Sequence, residues 1–390
     1  MRAVRILVSE YVLSTFQSHY LDLLPEAYAM AITLASSLSI AGCEAYLTLS
    51  SRAPKVPWDR VVIVSNESDY HRCLEQAKES FDWVVLVAPP LELIRLSKIV
   101  GSSLLGPPHS LVETFSDKLS TFLALRRCGI RTPETVLVKD PVADRAHVSK
   151  LSPPYVVKPT LLAGSECVYF AEDESDALRF AVEVAKCDPS GKALVQEYVS
   201  GVHGSMSVIY GRNDYLLYSL NLQLITLDSN RLKYTGGVLP LRSSTLKEQA
   251  ETTLSKLFKC YPMLRGYIGL DVVWDGEDVY IIEVNPRATT SIIGIYEVFP
   301  RLGEFLVKSV SNCQEADKHR FLGDLVSDYA YYLVLDREVP VLTNERSISI
   351  EGSTRTILVG RSNSRDSILD RISKLIPVAR IMYNLANALR

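Results

Sequence analysis

Over roughly the first 105 residues, short apolar runs at 4–8, 45–49, 61–64 and 84–87 alternate with segments of helical period, the first of them opening at Pro25. Alternation of this kind predicts strands joined by helices in a parallel α/β sheet. Pro25 suits the first turn of a helix, Glu26 beside it complements the positive end of the helix dipole, and Gly42 is a natural stop. Gly106-Pro107-Pro108 then interrupts the pattern, and Ser116-Asp117 opens a helical stretch that closes at Gly129.

The pattern changes after Thr132-Pro133. Residues 155–159 read as a strand, Ala163-Gly164-Ser165 as a loop of small residues, 167–170 as a second strand, 173–186 as a helix and 193–199 as a third strand. That combination resembles a small α+β lid. From Met206 to about Glu283 strands dominate, with one helix near 246–260 and a hairpin turning at Asp275-Gly276. The last ~75 residues predict a strand or two at 347–350 and 354–359. A closing amphipathic helix follows through Ile368, Leu369, Ile372, Leu375, Ile381 and Leu385, broken by Pro377. The resulting division is 1–110, 111–197, 198–315 and 316–390, the last an extension of unknown role.

Composition narrows the function classes. A chain of 390 residues exceeds one ordinary core and suggests two or three folding units at about 150 residues each. Hydrophobic residues at 47% and a net charge of −3 argue against disorder, and leave no basic excess to hold nucleic acid or an anionic membrane. The seven cysteines are scattered without a CxxC pair and read as reduced, mostly buried thiols. No signal-peptide core and no run approaching ~20 apolar residues is evident, so the expected location is the cytoplasm.

The strongest chemical signal is Ile281-Ile282-Glu283-Val284-Asn285-Pro286-Arg287. On a strand, Glu283 and Asn285 share one face while Ile282 and Val284 take the other, so one side is apolar and the other offers oxygen donors. Asp271 on the preceding strand would add a third oxygen, a set suited to Mg²⁺ that also holds phosphates. A two-residue turn at Asp275-Gly276 would put Asp271 on the wrong face; a three-residue loop pairs 271 with 281 and makes the carboxylates diagonal neighbours. An odd-length turn is therefore expected.

Lys158, ending an apolar strand before Pro159 and the small-residue loop, is placed to meet phosphate oxygens while backbone N–H groups close over them. Lys118 lies in a helix's first turn. Neither GxxxxGK[ST] nor GxGxxG occurs, so a nucleotide must be held by another geometry. HExxH and GxSxG are absent too, and His203 reads as a loop histidine.

Taken in order, Asp117-Lys118, Val156-Val157-Lys158-Pro159, Gln196-Glu197-Tyr198-Val199, Asp271 and Glu283-Val284-Asn285-Pro286-Arg287 resemble the ATP-grasp superfamily over roughly residues 1–310. The resemblance implies an N-terminal parallel α/β domain, a small lid and a C-terminal antiparallel sheet domain, with ATP clamped between two antiparallel sheets. It further implies that Lys118 and Lys158 contact phosphates with Gly164 and Ser165 in the loop above, and that Glu197 and the Tyr198-Val199 backbone meet adenine. Asp271, Glu283 and Asn285 would bind Mg²⁺ or Mn²⁺, and Arg287 would stabilise the transferring phosphoryl group, with Arg287 and Lys158 the catalytic pair. Where many members carry an acidic residue for the ribose, this chain has Val202-His203-Gly204, which leaves that contact unassigned.

Ser9-Glu10-Tyr11-Val12, Leu24-Pro25-Glu26-Ala27, Tyr234-Thr235-Gly236-Gly237 and Asn285 through Ser291 are also similar to archaeal and methylotroph ATP-grasp ligases, a group that includes tyramine:glutamate ligase. That likeness implies ATP-dependent joining of a small-molecule carboxylate to an amine through an acyl phosphate. Tyr234, Gly236, Gly237, Thr289 and Thr290 are its candidate substrate residues; a flexible turn and a capped helix start are the competing structural reading of the same two stretches. A non-catalytic ATP-binding scaffold and an ATP-grasp kinase use the same phosphate-handling residues and stay open as alternatives, as does a homodimer. No nucleic-acid or membrane partner is expected.

Overall fold

The computed structural model describes residues 2–310, 321–377 and 381–383. Near the N-terminus, β1 (Arg5–Glu10), β2 (Glu44–Ser50), β3 (Val61–Val64) and β4 (Trp83–Val87) form a parallel sheet in the order β3-β2-β1-β4. The helix Leu24–Ile40 begins with Pro25 in its first turn and packs against β1 and β2, burying Leu24, Leu34 and Leu38 completely. Against expectation, residues 18–40 are long and apolar enough to cross a membrane by length and composition, but 61% of that window is buried inside the molecule. The continuous apolar surface is what a helix needs when it packs on several sides at once.

The lid strands β5 (Thr135–Val138), β6 (Tyr155–Lys158), β7 (Tyr169–Ala171) and β8 (Ala193–Glu197) are antiparallel neighbours in the order β7-β6-β8-β5. Their odd-numbered residues Tyr155, Val157, Ala193 and Val195 close a small separate core against Phe180, Ala181 and Val184 of the helix Glu174–Cys187. Period-2 alternation therefore leaves Val156, Lys158 and Gln196 on the other face of the lid.

The main sheet continues through β9 (Val202–Tyr210), β10 (Tyr215–Asp228), β11 (Arg231–Leu239), β12 (Gly266–Trp274) and β13 (Val279–Asn285). The helix Ser244–Cys260 lies on its apolar side, capped by the Ser243 hydroxyl. His203 lies on β9 rather than in a loop, and Tyr234-Thr235-Gly236-Gly237 lies within β11 rather than in a flexible turn.

Strands between residues 329 and 362 are built into this sheet. β14 (Tyr329–Leu335) pairs with β11, β16 (Thr356–Ser362) pairs with β14, and β15 (Glu345–Ser349) pairs with β16. Gly236 explains how β14 approaches so closely: its φ is +132° and a Cβ there would collide with the Tyr332 carbonyl. The expected strands at 347–350 and 354–359 are present with shifted ends, whereas β14 was missed. The closing helix spans Arg365–Leu375; Ile381 instead bridges to Thr226, and Leu385 lies outside the described residues.

The cysteine expectation is also corrected. Cys128 is bonded to Cys260 and Cys167 to Cys187, while Cys43 and Cys73 are free thiols. Separations of 132 and 20 residues carry no spacing signal, since folding alone brings these pairs together. Cys313 falls outside the described residues.

Candidate active site

One cleft, with a volume of about 230 Å³, runs between the lid and the main sheet. Of the sixteen residues singled out from sequence, fourteen line it; Gly236 and Gly237 do not, being packed against β14 instead.

At the floor, Asp271 and Glu283 stand directly opposite each other across β12 and β13, with Gly269 opposite Asn285. The turn is not odd. Trp274 pairs with Val279 around a four-residue loop, and a bulge between Asp271 and Val272 supplies the one-residue shift that brings the carboxylates to one face. Directly opposed side chains have Cβ atoms about 4.5–5.5 Å apart, closer than the diagonal arrangement expected. Asp271 accepts from Gln223 Nε2 at 2.8 Å and from Asn285 Nδ2 at 3.4 Å. Burial, and then the neighbouring Glu283 charge, raise the Asp271 pKa well above the usual carboxylate range. Two half-buried carboxylates and an amide oxygen on one face fit a hard divalent cation. Among the described residues no group of three or more His, Cys, Asp and Glu side chains offers an alternative metal site.

The two lysines reach the same region from opposite elements. Asp117 caps the helix Lys118–Arg127 by accepting from Ser120, so Lys118 starts the helix; its Nζ lies 3.3 Å from Glu283 Oε1 and donates to the Leu162 carbonyl at 2.6 Å. Lys158 Nζ donates to Gln196 Oε1 at 2.8 Å, and burial lowers its pKa to about 8, with Lys118 adding to the decrease and Glu283 opposing it. Above them, the loop carrying Gly164 (φ +69°) and Ser165 (φ +59°) turns through two left-handed residues, and the Glu166 N–H donates back to the Ala163 carbonyl at 3.4 Å. The Cys167–Cys187 disulfide ties this loop to the end of the lid helix.

The hinge residues divide their roles. Glu197 lies on the opposite face of β8 from Gln196, and its carboxylate accepts from the Ser152 amide at 2.7 Å, so only its backbone fits the expected adenine contact. The Tyr198 N–H is already given to the Pro154 carbonyl. The Tyr198 and Val199 carbonyls and the Val199 N–H remain as candidate contacts. Beside them the ring of His203 packs between Tyr198 and Tyr383, with centroids 6.1 and 5.8 Å away. Burial holds its pKa down at about 4, and its buried Nε2 has no hydrogen-bond partner.

At the other end, Arg287 follows β13 and donates to the Ala288 carbonyl at 2.8 Å. Burial lowers its pKa, while Glu283 and Asp271 on the sheet and Glu10 and Glu26 on the N-terminal domain oppose that change. Thr289 and Ser291 share hydroxyl contacts with Tyr267, which pin the 285–291 segment to β12. Tyr234 donates to Tyr332 at 2.8 Å, and both line the cleft. Sequence reasoning missed Glu26, Gln223 and Tyr332 as cleft residues. Only Glu26 left a signal, as an acid in a helix's first turn.

Comparison with known proteins agrees with this geometry. Residues 115–291 match the ATP-grasp domain family. Tyramine–L-glutamate ligase of Methanocaldococcus jannaschii is 29% identical over 259 residues, 65% of this chain and 71% of that protein. Phosphoribosylamine–glycine ligase of Thermotoga maritima is 25% identical over 208 residues, 48% of this chain and 50% of that protein. Among solved structures, an ATP-grasp superfamily protein of Archaeoglobus fulgidus superposes with a TM-score of 0.63 at 18% identity, covering 92% of this chain and 99% of its own. The L-amino acid ligase of Bacillus licheniformis superposes with a TM-score of 0.66 at 14% identity, covering 96% and 97%. With the lid, the central sheet and the cleft arranged as they are, residues 115–291 are an ATP-grasp domain, and the chain has the ATP-grasp fold.

Proposed function

We propose that this protein is an ATP-dependent carboxylate–amine ligase of the cytoplasm, and that its reaction passes through an acyl phosphate. A carboxylate oxygen attacks the γ-phosphorus of ATP and the bond to ADP breaks; the amine nitrogen then attacks the acyl carbon, phosphate leaves, and the nitrogen loses a proton. The observation that carries this reading is the convergence in one cleft of Lys118, Lys158, the Asp271–Glu283 pair and Arg287. The 29% identity to tyramine–L-glutamate ligase makes glutamate and tyramine the first substrates to try.

In this reading Lys118 and Lys158 neutralise phosphate oxygens, and the N–H groups around Gly164 and Ser165 close over them. The Tyr198-Val199 backbone holds the purine edge. Asp271, Glu283 and Asn285 would hold Mg²⁺ or Mn²⁺, which supplies charge neutralisation at the transferring phosphate. Arg287 faces the transferring group, and lid closure keeps water from the acyl phosphate. The direct test is ADP release from Mg²⁺-ATP with a panel of carboxylates and amines, each alone and together. ADP that needs both supports the ligase; ADP that needs only a hydroxyl-bearing acceptor, with that acceptor phosphorylated, supports a kinase.

A further inference from the structure

Beyond Arg287 the cleft reaches the N-terminal domain, where its wall is Glu26, Thr290, Tyr234 and Tyr332. Glu26 stands in the first turn of the helix Leu24–Ile40. Its Oε1 accepts from the Thr290 hydroxyl at 3.1 Å; its Oε2 is 3.9 Å from Arg355 Nη1, outside hydrogen-bond reach. Thr290 occupies the N-cap position of the helix Ser291–Val298, yet its side chain makes no cap bond there and is given to Glu26 instead. The carboxylate is thus fixed in place with acceptor capacity left over, at the edge of an aromatic wall. Burial raises its pKa, and Arg355 and Arg287 only partly offset that effect.

A desolvated carboxylate facing a ligand cleft recognises a cation, and the metal-ligand chemistry is already concentrated at Asp271 and Glu283 on the sheet. We propose that Glu26 binds a primary ammonium group of one small-molecule substrate, so that Arg287 meets the anionic reacting group while Glu26 meets a cationic end. This assignment rests on the ligase reading for the identity of the substrates. The ammonium has two sources: the α-ammonium of an amino acid whose side-chain carboxylate is activated, or the incoming amine before it reacts.

The test is calorimetric binding to the full chain loaded with MgADP, wild type against Glu26→Gln, which keeps an acceptor for Thr290. Glutamate is compared with glutarate, and tyramine with 4-ethylphenol, each pair differing by the ammonium group. One ammonium-bearing compound should bind wild type about tenfold or more tighter than its partner, and Glu26→Gln should erase that preference while Glu26→Asp retains part of it. Preference for glutamate assigns the α-ammonium; preference for tyramine assigns the amine. No preference in wild type, or a preference that survives Glu26→Gln, overturns the proposal. Binding as expected without any ADP formation would leave the ammonium site standing and reject the ligase reading.

Discussion

Asp271 and Glu283 oppose each other directly across β12 and β13, because a bulge beside Asp271 adds the single residue that the four-residue turn lacks. Two carboxylates so placed, both within electrostatic reach of Lys118, are held together at a cost when no cation lies between them. Asp271→Asn keeps an acceptor for Gln223 and removes the repulsion. The variant should melt a few degrees above wild type in EDTA, and it should lose the rise in Tm that Mg²⁺ with ADP gives the wild type. A variant that still gains the full Mg²⁺ increment would exclude Asp271 from the metal site.

Lys158 leads to a prediction on activity against pH. Burial holds its pKa at about 8, so the free protein loses the ammonium as pH rises through that value. The kcat/KM for ATP should fall above pH 8, and Lys158→Arg should move that limb upward even if it lowers the plateau. A profile flat to pH 9.5 in wild type would show that Lys158 does not need its charge.

His203 sets a stability window instead. Its pKa falls from 6.5 to about 4 on folding, so its contribution is fully present above pH 6.5 and is lost as pH drops toward 4. The size is on the order of 3 kcal/mol. Urea denaturation at pH 7.5, 6, 5 and 4 should show this loss in wild type and a shallower one in His203→Phe; equal slopes would contradict the assignment.

Much of the site was legible in the sequence because period-2 alternation sorts polar from apolar faces without knowledge of the fold. Glu283 and Asn285 needed only their own strand. What Asp271 needed was the register, and the bulge that sets it has no glycine or proline to mark it. Glu197 was readable as a hinge residue but not as a carboxylate turned away from the cleft, since that depends on the Ser152 amide 45 positions earlier. Tyr332 lies 98 residues from Tyr234, and only the pairing of β14 with β11 joins them. The disulfides were unreadable for the same reason.

Tyr332 tests how far the C-terminal strands serve the cleft. Tyr332→Phe leaves the buried Tyr234 hydroxyl without its acceptor, so stability should fall by ~1–3 kcal/mol. If these hydroxyls line the substrate end, KM for a substrate other than ATP should rise while KM for ATP stays within twofold. A change confined to ATP would place the pair at the nucleotide end.

The central claim is that a substrate carboxylate is phosphorylated before the amide forms. Supplying the carboxylate substrate labelled with ¹⁸O in the reacting group, glutamate first, and analysing the released phosphate by mass spectrometry tests it directly. One labelled oxygen transferred to phosphate for each amide formed is the predicted result; phosphate free of label during amide formation would contradict the acyl-phosphate mechanism.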